Sequence, residues 1–163
     1  MGGFRLLAEY AVPLDGIDEP TLAEFAAYWR RKAGKRSFAT RDDISPGDLV
    51  DGLGSIRIAM IEPDGGFRFR LYGSKSTNPD QVDMTGKTTK DYADREFAAL
   101  VERHYGMVAA DGIGRCWHIV GAVDEGRYEY QRVVLPLSYS GTEMDALIVK
   151  SARIKNEALR WES

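Results

Sequence analysis

Two histidines, one cysteine and several clusters of like charge are the residues of this chain equipped to bind or react. His104 shares a helical stripe with Phe97, Leu100, Val101 and Val108. An imidazole on such a face can ligate iron in a wide apolar pocket, or it can sit at the core edge, hydrogen-bonded to backbone or water. His118 falls on a different predicted element, and no third ligand has suitable spacing, so no metal centre is expected. Asp42, Asp43, Asp48 and Asp51 lack the alternation and central glycine of a calcium loop and read as caps and solvated loop charge. Arg30, Arg31, Lys32, Lys35 and Arg36 read as a helix end in solvent. The lone Cys116 excludes an intrachain disulfide, a Cys-rich zinc site and a CxxC redox pair, and is expected to behave as a small buried hydrophobe. No nucleophile motif, phosphate-binding glycine loop or paired-carboxylate pattern stands out, so no catalytic residue is assigned.

Those residues need a scaffold, and 163 residues with 44% hydrophobic and 29% charged side chains supply one domain with a buried core. Lys plus Arg number 22 against 25 for Asp plus Glu, a net charge of -3 that disfavours nucleic acid as a partner. No window approaches the roughly 20 apolar residues of a membrane span, and the N-terminus lacks a secretory pattern. A cytoplasmic location without membrane association is expected.

Residues 1–20 carry Pro13, Gly16 and Pro20 without a sustained period and read as an irregular lead-in. A helix is predicted from Leu22 to Ala33, within a segment 21–34. Thr21 and Glu24 suit a capping box, Leu22, Phe25, Ala26 and Trp29 form its stripe, and Gly34 suits the stop. Ser45-Pro46-Gly47-Asp48 opens a short helix in the connector. Residues 55–62 and 67–72 alternate as two strands around the turn Pro63-Asp64-Gly65-Gly66. Pairing Glu62 with Phe67 sets Met60 opposite Phe69 and Ile58 opposite Leu71 on one face. The same register sets Ala59 opposite Arg70 and Arg57 opposite Tyr72 on the other. Helices are expected to fill residues 73–114, with Asp94 capping the longest. Three strands follow, over about 116–123, 128–137 and 145–153, and residues 155–163 form a tail. The order predicts an α+β domain, a five-stranded antiparallel sheet with helices on one face and an extra N-terminal helix.

The same order is the plan of PAS domains, and particular motifs sharpen the likeness. Tyr28-Trp29-Arg30 with Gly34, Thr40-Arg41-Asp42-Asp43-Ile44-Ser45-Pro46, Phe67-Arg68-Phe69-Arg70-Leu71-Tyr72-Gly73-Ser74, Thr85-Gly86-Lys87 and Val134-Leu135-Pro136-Leu137 occur in order. Together they resemble the stand-alone PAS family abundant in alphaproteobacteria, over Leu22 to Ile154. The chain departs from that pattern at Phe38-Ala39-Thr40, where the family often has a proline, and at Gly73-Ser74, where it has glycine-threonine. The resemblance implies a sensory or docking module acting in signal transduction through a pocket between helices and sheet. Within these residues no kinase, cyclase or DNA-binding segment is recognisable, so output is expected to pass to a separate signalling protein. The likeness also raises haem ligated by His104. It disfavours a flavin photosensor, whose Asn-Cys motif lies on helices after the second strand whereas Cys116 is on the predicted third strand.

Phe69, Leu71, Leu100, His104, Leu135 and Val149 each lie on the apolar face of their element, so they are expected to line or fill one interior space that takes a small, mostly apolar molecule. Arg57, Arg68, Arg70 and Tyr72 gather on the other hairpin face, where arginine stems either cover sheet or form a docking surface. Leu22, Phe25, Tyr28 and Trp29 present an aromatic helix surface that either the sheet or a second subunit must cover, which predicts a homodimer. A small cone-shaped isomerase or dehydratase is the alternative function, with His104 or His118 as general base.

Overall fold

Central strands whose side chains alternate between two buried faces organise the molecule. A computed structural model describes residues 3–49, 52–124 and 126–154. These form seven strands, β1 (Phe4–Val12), β2 (Ala39–Thr40), β3 (Ile56–Ile61), β4 (Phe67–Tyr72), β5 (Arg115–Val123), β6 (Gly126–Ser138) and β7 (Ala146–Arg153). Two α-helices accompany them, α1 (Pro20–Ala33) and α2 (Arg95–Asp111). The sheet order is β1-β5-β6-β7-β3-β4, antiparallel throughout except for β2, which adds to β6 in parallel. The α+β class expected from the sequence is the class observed, with two strands beyond the expected five.

β6 and β7 are buried on both sides, which is why Val133-Val134-Leu135 and Ala146-Leu147-Ile148-Val149 are continuous apolar runs. Successive side chains leave a strand on opposite faces. Val133, Leu135, Leu137, Ala146 and Ile148 meet Leu22, Phe25, Ala26 and Trp29 of α1. Val134, Leu147 and Val149 meet Phe97, Leu100, Val101 and Tyr105 of α2. The two helices therefore cover opposite faces of one sheet, α2 on one and the N-terminal helix on the other.

The Glu19 carboxylate caps α1 by accepting from the N–H groups of Thr21 and Leu22, with Pro20 in the first turn, so it displaces the anticipated Thr21–Glu24 box. Gly34 ends α1 at φ 62° and donates to the Arg30 carbonyl. Asp94 caps α2 through the Phe97 N–H at 2.9 Å, and Gly112 ends it in the left-handed region.

Three local expectations fail for identifiable reasons. The supposed lead-in contains β1, whose alternation is broken by a register shift between Leu6 and Ala8 that leaves Leu7 exposed. The β3–β4 hairpin holds its predicted register at Arg57–Tyr72 and Ile58–Leu71, then bulges. Ala59 faces Phe69, Met60 faces Arg68, and Arg70 has no partner across the pair. Residues 73–88 are stitched by turns rather than helices, and a single 3-10 turn at Thr89–Asp91 precedes α2. Residues 155–163, the predicted tail, lie outside the described residues.

Both sheet edges are covered. The 86–88 segment closes β4 through Phe69 N–H to the Lys87 carbonyl and Gly86 N–H to the Phe69 carbonyl. On β1, the N–H groups of Phe4 and Leu6 donate to the carboxylates of Asp94 and Glu96.

Candidate functional site

The bulge at Arg70 creates the site. It returns Tyr72 to the face of Phe67 and Phe69, while Arg57 points to that same face from β3 and is only 6% exposed. A cavity of about 560 Å³ opens there, between α2 and the sheet. Arg57 and Tyr72 supply one wall, Tyr130, Arg132 and Ser151 another, and Phe97, Val101 and Tyr105 of α2 the roof.

Residues 75–81 complete the rim. Gly73 starts this segment because a Cβ would lie 2.3 Å from the carbonyl oxygens of both Leu53 and Gly54, a contact only glycine avoids. Asn78 then pins it, donating to the Tyr72 hydroxyl at 2.9 Å and to the Val82 carbonyl at 2.8 Å. Asp80 ties the rim to the start of α2 by accepting from the Ala93 N–H at 2.8 Å. The rim is thereby fastened to β4 and to the helix roof.

The wall is unusual in charge. Arg57 donates to Ser151 Oγ and lies 5.9 Å from the Tyr72 ring centroid. Arg132, 3% exposed, donates from Nη1 to His104 Nδ1 at 2.9 Å and lies over the rings of Phe97 and Tyr130. Among the described residues neither guanidinium has a carboxylate within ion-pair reach. Phenolates do not compensate them either, because burial raises the Tyr92, Tyr105 and Tyr130 hydroxyls above the usual phenol range and keeps them protonated. Two buried polar atoms of cavity-lining residues, Arg132 Nε and Ser76 Oγ, have no hydrogen-bond partner.

His104 lies behind this wall. Arginine can only donate, so Nδ1 is the acceptor and the proton sits on Nε2, which donates to Glu9 Oε2 at 2.5 Å. Glu9 also accepts from Arg103 at 2.6 Å, and the imidazole stacks on Trp117 with centroids 3.8 Å apart. Burial, aided by the Arg132 cation, pushes the histidine pKa down to about 3. Both ring nitrogens are committed, so this imidazole has no lone pair for iron, and haem ligation by His104 does not fit. His118 projects on the α1 side with Cys116, bonded to Glu129 at 2.8 Å and Gln131 at 3.0 Å. The two histidines thus occupy opposite faces, and neither offers the cavity a general base. Burial raises the Cys116 thiol to about 12.

The six residues expected to share one interior do not. Phe69, Leu100 and Val149 pack together with α2, and His104 is buried on that side, whereas Leu71 and Leu135 belong to the α1 side. None of the six is on the cavity wall. The bulge displaced Leu71, and Leu135 follows the alternation of β6 that puts Val134 on the α2 face. The aromatic stripe of α1 is corrected as well. Leu22, Phe25 and Trp29 lie under the sheet, with Trp29 Nε1 donating to the Pro136 carbonyl at 2.8 Å, and Tyr28 is buried with its hydroxyl bonded to the connector at Asp43, Ser45 and Asp48, so the four present no dimer surface. Of the four proposed docking residues on the hairpin, Arg57 and Tyr72 face the cavity. Arg68 and Arg70 stay outside, the first bonded to Glu62 and the second 4.9 Å from the Tyr139 ring centroid.

Arg132, Tyr92, Tyr105, Tyr130 and Asn78 escaped sequence reasoning. A signal existed for Arg132, since it falls between Tyr130 and Val134 on one face of a strand that runs into the continuous apolar stretch Val133-Val134-Leu135. A charge on a strand buried on both sides marks an interior function.

A mostly antiparallel sheet packed by α1 on one face and roofed by α2 over a cavity on the other defines a small α+β module. The model of the PAS domain family matches residues 17–117, more than half of the chain, from just before α1 to the start of β5. The chain belongs to that family, a family of sensory and regulatory modules. Comparisons with curated proteins and with solved structures found no match. Among the described residues no helix is long and apolar enough to cross a membrane.

Proposed function

We propose that this PAS domain is a sensor whose α2-side cavity takes a small molecule and reports its occupancy to a separate signalling protein. The cavity carries the reading, because about 560 Å³ falls within the size of small-molecule sites and its wall combines aromatic surface with polar groups, among which Arg57, Asn78 and Arg132 are held in place by hydrogen bonds. The bulge offers a route outward. Tyr72 inside and Arg70 outside are two residues apart on a strand whose pairing is already irregular, so a ligand that moves Tyr72 also biases the exposed Arg70 and its Tyr139 neighbour.

The test is a denaturing extraction of the purified full chain followed by mass spectrometry, with thermal shift against a metabolite panel. Val101→Trp fills the roof, and its ligand-free Tm sets its own baseline. A co-purified or stabilising compound that the Trp variant no longer binds is the expected result. An empty extract and no shift across the panel would overturn the reading.

A further inference from the structure

Resting on that small-molecule reading, we infer that the ligand is an aromatic carboxylate whose acid group is held between Arg57 and Arg132. Arg57 and Arg132 are buried cations on the cavity wall, and among the described residues neither lies within ion-pair reach of a carboxylate, Glu129 on the same wall included. Glu129 hydrogen-bonds through that carboxylate to His118 on the opposite side of the sheet. The space between these two guanidiniums is therefore positive.

A buried guanidinium without a counter-charge is costly, and natural cores rarely keep one, still less two. Here the hydrogen bonds that hold each arginine come from neutral groups. Ser151 Oγ fixes Arg57, and Ser151 is also the cross-strand partner of Arg132, so one residue links the two cations across neighbouring strands. His104 fixes Arg132 by one nitrogen and leaves Nε–H unpaired. A carboxylate placed there would accept from Arg132 Nε and from Arg57, completing both. Between the polar rim and the strand walls the lining is rich in rings, with Phe4 and Phe97 meeting edge to face at 5.4 Å beside Tyr92, Tyr105 and Tyr130, and this part suits a flat ring. An arginine pair can hold phosphate as well as carboxylate, but the first turn of α2, a further phosphate donor, is already capped by Asp94, and a phosphate probe is one arm of the test.

Calorimetry with matched acid and amide probes tests this on the full chain: benzoate with benzamide, indole-3-acetate with indole-3-acetamide, and phenyl phosphate as the phosphate arm. At least one acid should bind ~30-fold or more tightly than its amide and than phenyl phosphate, the low end of what leaving a buried charge unpaired costs. Arg57→Met and Arg57→Gln should each remove that preference, while urea unfolding of the ligand-free variants reports on the fold. Arg132→Met should do the same, though it also unpairs His104. Equal binding of acid and amide, tighter binding of phenyl phosphate, or an acid preference that survives in folded Arg57 variants would overturn the carboxylate assignment and leave the small-molecule reading standing. No binding by any probe, together with no small molecule extracted from the purified chain, would overturn both.

Discussion

The two faces of the sheet solve different problems with the same strands. On the α1 face, Leu22, Ile56, Leu135 and Ile148 are wholly inaccessible, and the one indole in the layer is satisfied by a carbonyl. On the α2 face, β6 and β7 contribute Arg132 and Ser151 beside Val134 and Val149, and a cavity remains between them and the helix. Close packing gives stability, whereas buried cations and empty volume reduce it. Holding the apolar layer on one side of two central strands lets the other side retain groups that stability alone would not select.

Stability measurements can break that contrast. Ile148→Ala, deep in the α1 layer, should cost about 2–5 kcal/mol by urea denaturation and leave cavity binding unchanged. Arg57→Met, on the other face of the neighbouring strand, should change ligand-free stability by no more than about 1 kcal/mol in either direction, because a well-packed apolar group replaces an unpaired buried charge without loss. If the arginine variant is as costly as the alanine variant, the polar face is also structural and the division of labour fails.

What the sequence revealed follows the same division. The α1 stripe, the Asp94 cap and the Gly34 stop were legible because period and capping chemistry are local. That the sheet, and not a second subunit, covers α1 was not legible, since an apolar stripe demands a partner without naming it. The site was obscured by one residue. Strict alternation in Phe67-Arg68-Phe69-Arg70-Leu71-Tyr72 assigned Tyr72 to the outside, and the bulge at Arg70 reversed every assignment beyond it. A bulge has no period, so alternation gives no warning of it. β1 was lost for the same reason at Leu7.

Acid should discriminate between the faces next. His104 is held neutral with its pKa near 3, against about 6.5 in the unfolded chain, so below pH 6.5 the unfolded state takes up a proton that the native state does not. Stability should therefore fall on acidification by about 1.4 kcal/mol per pH unit, or about 2 kcal/mol between pH 6.5 and 5. Glu9, whose carboxyl is lowered by its bond to Arg103 and by His104, adds to the loss only below its own ordinary range near 4.5. His104→Gln keeps an acceptor for Arg132 and a donor for Glu9 and should flatten the decline above pH 5. Urea midpoints at pH 7, 6 and 5 measure it, and an equally steep decline in the Gln variant would place the proton uptake elsewhere.

The smallest effect expected is at Asp94, which joins the α2 face to the outer edge of the sheet. One carboxylate oxygen accepts from the Phe97 N–H and caps the helix, and the other accepts from the Phe4 N–H at 2.6 Å and anchors β1. Asp94→Ala removes both bonds and should cost about 1 kcal/mol, within the usual range for an N-cap. Phe4 and Phe97 both line the cavity, so the loss should appear in ligand affinity as well as in stability, unlike any change confined to the α1 layer. Asp94→Asn retains a cap oxygen for Phe97 but replaces the second acceptor with a donor that faces the Phe4 N–H. If the cavity depends on both anchors, the Asn variant should recover most of the helix stability and little of the affinity. Recovery of both together would mean that the helix cap alone positions the aromatic wall, and that β1 contributes to the edge of the sheet without shaping the site.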